Sequence, residues 1–255
     1  MEGIKRTAFQ GVTNIIRFNW HFYVIAFVAL LVLFFTKQFL SPELIFVVNV
    51  FILLSFVAIF ISLAASYYIY DRSNLYSLDW LNFLQIAPFT QIVNINAGFD
   101  ETSALLEQKY QHSTLQVFDF YDAAKHTEVS IERARKAYPT YPGTQTINTN
   151  AIPLKENSTD CAFLILAAHE IRNTKERIAF FKQLQTALTS TGKIVVVEHL
   201  QDLPNFIAYN FGFFHFHSKA TWLKAFEQSN LIMEKEIKIT PFISTFILCK
   251  NGATS

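Results

Sequence analysis

Two histidine–glutamate pairs stand in mirrored order in the second half of the chain, His169-Glu170 and Glu198-His199. Each closes an apolar run, CAFLILAA and KIVVV, of the kind that forms a strand covered on both faces. An imidazole at a strand end can take a proton from a hydroxyl when a neighbouring carboxylate orients the ring. His169 and His199 are therefore candidate bases, with Glu170 and Glu198 as orienting groups. The alternative is that each histidine only ties off its strand through backbone hydrogen bonds.

A second group follows an earlier strand. After QIVNI, the residues Asn96, Gly98 and Asp100 alternate in a turn. Gly98 permits close backbone approach to a ligand, and Asn96 tolerates positive φ. Asp100 and Glu101 open the next helix, where their charge suits the dipole and repels a pyrophosphate. A third strand end carries Asp119 in VFDFYD, placed where an acid accepts from ribose hydroxyls. A fourth leads into Asn150-Ala151. His215 and His217 in FGFFHFHS, with His199 and a carboxylate, are the one set that could hold a metal. Their spacing is unspecific, and no metal is expected.

These residues need elements to position them. Strands are expected at 91–95, 115–120, 144–149, 161–168, 193–199, 231–240 and 242–250. Helices are expected at 101–110, 128–138, 174–188 and from Ser218 to near Asn230, with Gly192 in a turn. Alternation of this kind builds a mostly parallel sheet with helices on both faces, and ligands bind beyond the carboxyl ends of its strands. Arg133, Arg135 and Lys136 read as a solvated face or a contact for anionic headgroups. Cys161 and Cys249 read as small core residues, not a bridge.

The first part of the chain differs in kind. Of 255 residues, 51% are hydrophobic and 16% charged, with Lys+Arg 21 against Asp+Glu 20. That balance excludes a disordered chain and argues against a nucleic-acid partner. Between Phe18 and Tyr70 the only formal charges are Lys37 and Glu43. About 20 apolar residues cross a bilayer as a helix. The runs 22–40 and 44–69, parted by Ser41-Pro42, read as a transmembrane hairpin. Lys5, Arg6, Arg17 and Arg72 flank it and place both termini in the cytoplasm. The expected organisation is a tail over 1–20, the hairpin over 21–70, an interfacial or linker helix within 71–90 and an α/β domain over 91–255. The amphipathic stretch 73–86 either lies along the membrane or covers the sheet. The Phe-rich stretch 203–216 lines an apolar pocket, touches the bilayer or packs in the core.

The loop at 94–102, Asp119, the IERARK helix and the block NAIPLKENSTDCAFLILAAHE together resemble the class I S-adenosylmethionine-dependent methyltransferases, as does SKATWLKAFEQSNLIMEKE before a closing hairpin. The resemblance implies a seven-stranded Rossmann-like sheet whose last strand is antiparallel. It implies S-adenosylmethionine as cofactor, held at its amino-acid end by Asn94, Asn96 and Gly98. Its ribose is assigned to Asp119 beside Phe120, and its adenine to Asn150 and Ala151. The loop departs from the family: Asn94 stands for the usual acid, and only Gly98 remains of three glycines. With the hairpin, the resemblance implies a membrane-anchored enzyme acting on a lipid, a quinone precursor or an aromatic metabolite. Oxygen methylation comes first and nitrogen methylation second. The other expectations are a non-catalytic scaffold or accessory subunit of the same fold, and a nucleotide-dependent oxidoreductase.

Overall fold

The computed structural model describes residues 6–83, 91–126 and 128–252. Seven strands form one sheet in the order β3-β2-β1-β4-β5-β7-β6. They are β1 (Gln91–Asn96), β2 (Thr114–Asp119), β3 (Gln145–Thr146), β4 (Thr159–Ile165), β5 (Leu188–His199), β6 (Leu231–Thr240) and β7 (Ile243–Lys250). The first five run parallel, while β7 is antiparallel to both β5 and β6. Because the order runs outward from β1 in one direction and from β4 in the other, the switch point lies between their ends. A crevice opens there in sheets of this type.

The sequence alternation sets the two faces. Val93 and Ile95 of β1 point into one cluster with Phe118, Phe180 and Trp222, beneath α6 (Thr174–Ala187) and α8 (Lys219–Gln228). Ile92 points the other way, into a cluster with Phe163, Val195 and Val197. Asn173 and Ser218 cap α6 and α8 by accepting backbone N–H bonds, as their residue types favour. Two expected elements come out differently. β3 has only two residues, and Gly192 lies within β5 beside a register shift, where a Cβ would meet the Thr159 carbonyl at 2.8 Å.

The expected helix over 73–86 is not a membrane-surface helix. Its described part is turns and a 3-10 segment, Asp79–Phe83, while residues 84–90 lie outside the described residues. Leu75, Leu78 and Leu81 are buried against the sheet with Ile69 from the preceding helix. Each such side chain contributes about 1.5–3 kcal/mol when fully buried. The segment covers the second face and ties the apolar hairpin to the sheet.

Three helices precede the sheet: α1 (Gln10–Phe18), α2 (Trp20–Thr36) and α3 (Pro42–Tyr67). Two spans, Trp20–Phe39 and Pro42–Arg72, are long and apolar enough to cross a membrane, with mean hydropathy 2.0 and 3.0. Phe27, Phe46 and Phe60 are 62%, 70% and 73% exposed, which is not how core helices of a soluble domain present phenylalanine. Lys37 turns back to donate to Asn49 Oδ1 at 2.6 Å, pairing the polar groups of the two spans.

The N-terminal tail contains α1, which sequence periodicity did not reveal. Its buried face is Gly11, Asn14 and Phe18, only one of them a large apolar residue. Asp71 accepts from the backbone N–H of Gly11 and Val12 at 2.6 and 2.9 Å, satisfying two free donors of the first turn. Arg133 donates to the Phe18 carbonyl at the other end at 2.6 Å. Gly11 sits so close to Tyr70 that a Cβ there would lie 2.3 Å from the tyrosine Cβ. Helix α5 (Val129–Ala137), which carries Arg133, packs against α1.

Candidate active site

Where β1, β4 and β5 end, a cavity of about 220 Å³ is lined by Asn94, Asn96, Glu101, His169, Glu170 and His199, with Tyr70 at its wall. His169, Glu170 and His199 therefore share one space, while Glu198 is fully buried and reaches it only through His169. Two of the predicted cofactor residues open onto it as well. The Asn94 amide donates to Ser103 Oγ and Thr102 Oγ1 at 2.8 and 3.1 Å. Its Oδ1 is buried with no hydrogen-bond partner. Asn96 accepts from the Gly98 N–H at 3.2 Å, and its Nδ2 is likewise buried and unpartnered. An unmade bond in such a place costs on the order of 1–3 kcal/mol.

Gly98 has φ +99°, which side chains rarely adopt, and a Cβ there would lie 2.9 Å from the Tyr121 ring. Asp100 uses one oxygen to accept from the N–H groups of Thr102 and Ser103, both at 2.9 Å. It thus holds the start of α4 (Ser103–Lys109). Glu101 accepts from Arg6 and from the Tyr76 hydroxyl, each at 2.6 Å. Neither Arg6, Tyr70 nor Tyr76 was identified from sequence, because each comes from a segment read as tail, membrane span or linker.

Asp119 is buried at the end of β2, and its carboxylate is not free. One oxygen accepts from the Tyr121 N–H at 2.9 Å, and the other is paired with Arg135. Arg135 also donates to the Gly98 carbonyl at 3.3 Å and lies 4.4 Å from the Tyr121 ring centre. The expected solvated basic face on this helix holds for Lys136, which is 73% exposed, and is corrected for the two arginines. Arg133 holds α1, and Arg135 bridges Asp119 to the Gly98 turn. Beyond Asp119 a hollow of about 310 Å³ is lined by Phe120, Tyr121, His126, Asn148, Thr149 and Glu176. Asn150 and Ala151 are exposed in the following turn, and the residues after β3 that line this hollow are Ile147, Asn148 and Thr149.

The histidines differ in state. His199 is buried, and its Nδ1 faces two oxygens, Asn205 Oδ1 at 3.0 Å and the Phe242 carbonyl at 3.1 Å. Nδ1 therefore carries the proton, and Nε2 accepts from the Tyr70 hydroxyl at 2.9 Å. Burial pushes the pKa of His199 down to about 4, so the ring is neutral at pH 7. His169 faces two carboxylates, Glu198 at 2.7 Å from Nδ1 and Glu170 at 3.3 Å from Nε2. Burial opposes its charge, but these carboxylates outweigh it and push the pKa up to about 10.

His215 joins this cluster from a 3-10 turn over Asn210–His215 that follows α7 (Leu203–Tyr209), with Nε2 3.2 Å from Glu170. The set expected from sequence for a metal does not assemble: His217 bonds to Arg177 at 2.9 Å and His199 to Tyr70. In the Phe-rich stretch, Phe216 lines the cavity while Phe211 is 89% exposed.

A second cavity, about 210 Å³, adjoins the first and shares Tyr70, Tyr76, Phe99 and Glu101 with it. Its other wall is Gly11, Asn14 and Phe18 of α1, next to the start of the first apolar span.

No family model matches the chain, and no curated protein matches it. Among solved structures, it is similar to a type 11 methyltransferase described as putative from Sulfolobus solfataricus, at 15% identity over 64% of this chain and 85% of that one, with TM-score 0.42. It is similar to a SAM-dependent methyltransferase from Methanosarcina mazei at 13% identity over 67% and 96%, with TM-score 0.47. The mitomycin 7-O-methyltransferase MmcR shares 12% identity over 64% of this chain, which spans 49% of that protein, with TM-score 0.46. The seven strands and the antiparallel β7 are those that the sequence resemblance implied. Residues 91–250 thus form a seven-stranded, mostly parallel Rossmann-like sheet, preceded by two long apolar helices.

Proposed function

We propose that the chain is a membrane-anchored S-adenosylmethionine-dependent methyltransferase that methylates oxygen on a hydrophobic or membrane-associated substrate. The observation that carries this reading is the pair of unpartnered polar atoms at the end of β1. Asn94 offers an acceptor and Asn96 a donor, side by side in one cavity. The amino-acid end of the cofactor presents the complementary groups, an ammonium and a carboxylate. An amide at position 94 does this without the charge of the acid usual in this fold. Glu101 is neutralised by Arg6 and so does not repel the carboxylate.

The cofactor supplies a methyl group on a sulfonium, and in-line attack on it needs chiefly positioning. The residues divide that work. His199 is neutral, and its Nε2 is the acceptor in the cavity, reached through the Tyr70 hydroxyl. A substrate hydroxyl placed against Tyr70 passes its proton to the tyrosine oxygen as the tyrosine proton passes to His199. His169, held between Glu170 and Glu198, lines the same cavity and is positioned to orient the substrate oxygen. The adjoining cavity under α1 supports a substrate arriving from the bilayer, since it lies beside the first apolar span. The exposed Phe206, Ile207, Phe211 and Phe214 extend this apolar surface, and we place them at the lipid boundary with both termini cytoplasmic.

The second reading, a non-catalytic member of the fold, is favoured by one observation. Arg135 holds the ribose-side oxygen of Asp119, and Tyr121 lies over Gly98. Transfer of a labelled methyl group separates the two. Detergent-purified protein incubated with labelled S-adenosylmethionine and membrane extract should label a solvent-extractable product. If it leaves every fraction unlabelled yet stays folded, the scaffold reading stands.

A further inference from the structure

The cluster at His169, Glu170 and His215 has the construction of a metal site. The ligating atoms of these three residues lie within 4.8 Å of one another. Both imidazoles turn the same edge inward. His169 Nε2 is 3.3 Å and His215 Nε2 is 3.2 Å from the same oxygen, Oε1 of Glu170. The outward edges make much shorter contacts. His169 Nδ1 is 2.7 Å from Glu198, and His215 Nδ1 is 2.6 Å from Glu128. The His169 contact is a charge-assisted hydrogen bond that puts a ring proton on its Nδ1, whereas His215 Nδ1 meets both Glu128 and the donating Arg172 guanidinium. Each Nε2 then faces a carboxylate oxygen, a contact that needs either a ring proton or a metal ion between the two atoms.

Metal geometry meets this requirement. Nitrogen and oxygen ligands about 2.0–2.1 Å from a tetrahedral zinc are about 3.3 Å apart. The two inward contacts have that length. Histidine ligands also characteristically hand their other N–H to a carboxylate, which fixes the tautomer and ring orientation. Glu198, with no solvent exposure, does so for His169, and the more open Glu128 lies 2.6 Å from His215 Nδ1. The charges agree as well. Three carboxylates converge on two imidazoles, and one dication supplies the positive charge that two added protons would otherwise supply.

We propose that His169 Nε2, His215 Nε2 and Glu170 Oε1 bind one divalent transition-metal ion, with zinc as the reference ion. Glu198 and Glu128 are positioning residues. His169 and Glu170 also line the cavity beside Tyr70 and His199, so the open coordination position faces the place of the substrate oxygen. The site goes beyond the methyl-transfer reading and does not need it, since metal binding is measured alone. Arg172 donates to the His215 carbonyl and lies at the Nδ1 edge of that ring, away from the three ligating atoms.

The test is metal content and zinc calorimetry on tag-free, detergent-purified full-length protein after chelator treatment. One equivalent of zinc should bind. His215→Ala, at a partly exposed turn where the fold tolerates change, should weaken binding at least a hundredfold. Glu128→Gln should weaken it about tenfold, the usual effect of losing an orienting partner. His217→Ala, whose ring bonds to Arg177, should bind zinc like the parent. Cobalt in place of zinc should give the visible absorption of a four-coordinate ion, lost in His215→Ala. The proposal is overturned if natively folded parent protein takes up no zinc. It is also overturned if His215→Ala binds as the parent does, or if His217→Ala loses as much affinity as His215→Ala.

Discussion

The hydroxyl of Tyr70 lies 2.9 Å from Nε2 of His199 and joins the last turns of an apolar span to the end of β5. The bond couples the apolar hairpin to the candidate site. The same tyrosine packs against Gly11 of α1 and walls both cavities. Tyr70→Phe leaves the buried Nε2 without a donor, at a cost of about 1–3 kcal/mol. The expected outcome is a lower unfolding midpoint in denaturant, together with a lower rate of methyl transfer and little change in cofactor affinity.

His199 predicts a pH dependence. Its folded pKa is lowered to about 4, whereas an unfolded histidine titrates near 6.5. Between these values the unfolded chain binds the extra proton, so stability falls as pH drops from about 6.5 towards 4 and is fully present above that window. His217, pushed down to about 3 by burial and by Arg177, adds to the same slope. One such group contributes about 1.4 kcal/mol per pH unit. His199→Gln, which keeps a donor and an acceptor, should remove one of the two contributions. Unfolding midpoints at pH 6.5, 5.5 and 4.5 measure the change; an unaltered slope excludes His199 as its source.

The Arg135–Asp119 pair predicts opposite effects from its two members. Asp119→Ala should weaken S-adenosylmethionine binding about tenfold, through loss of the ribose acceptor. Arg135→Ala frees that carboxylate and should strengthen binding. The pair is partly exposed on the arginine side, so about 0.7 kcal/mol, or threefold, is the expected gain. Calorimetric titration of both variants checks the signs. A loss of affinity in Arg135→Ala means that the arginine helps to hold cofactor instead of competing with it.

Helix α1 predicts a local effect. Gly11→Ala places a methyl group against Tyr70 and Asp71, and the helix must shift. Limited proteolysis should then cut near residue 19 faster than in the parent, while the sheet stays resistant. Equal cutting rates contradict the tight docking of α1.

The legible parts of this fold were those whose burial is written in a local pattern. CAFLILAA and KIVVV are continuous apolar runs, and they are β4 and the end of β5. Asn94 and Asn96 could be placed because they lie in the last half of an apolar strand, and Gly98 because it follows that strand. What stayed hidden depends on distant partners. The buried face of α1 carries Gly11 and Asn14, so hydrophobic spacing passed it over, though Phe9, Val12 and Ile16 hint at a helix. Arg135 and Asp119 meet only because α5 folds over the Gly98 turn. His215 lies 45 residues from Glu170, and nothing in FGFFHFHS tells which of its two histidines faces the site. Residues 73–81 look amphipathic either way, and only the unfilled face of the sheet decides that they cover it.

The central claim is that the end of β1 holds S-adenosylmethionine, and direct calorimetry tests it. Detergent-purified full-length protein is titrated with S-adenosylmethionine and with its demethylated product. The account predicts one site for each ligand, with Asn96→Ala weakening both about tenfold through loss of the buried donor. Absence of binding by either ligand at millimolar concentration, on protein whose circular dichroism shows an intact fold, contradicts it.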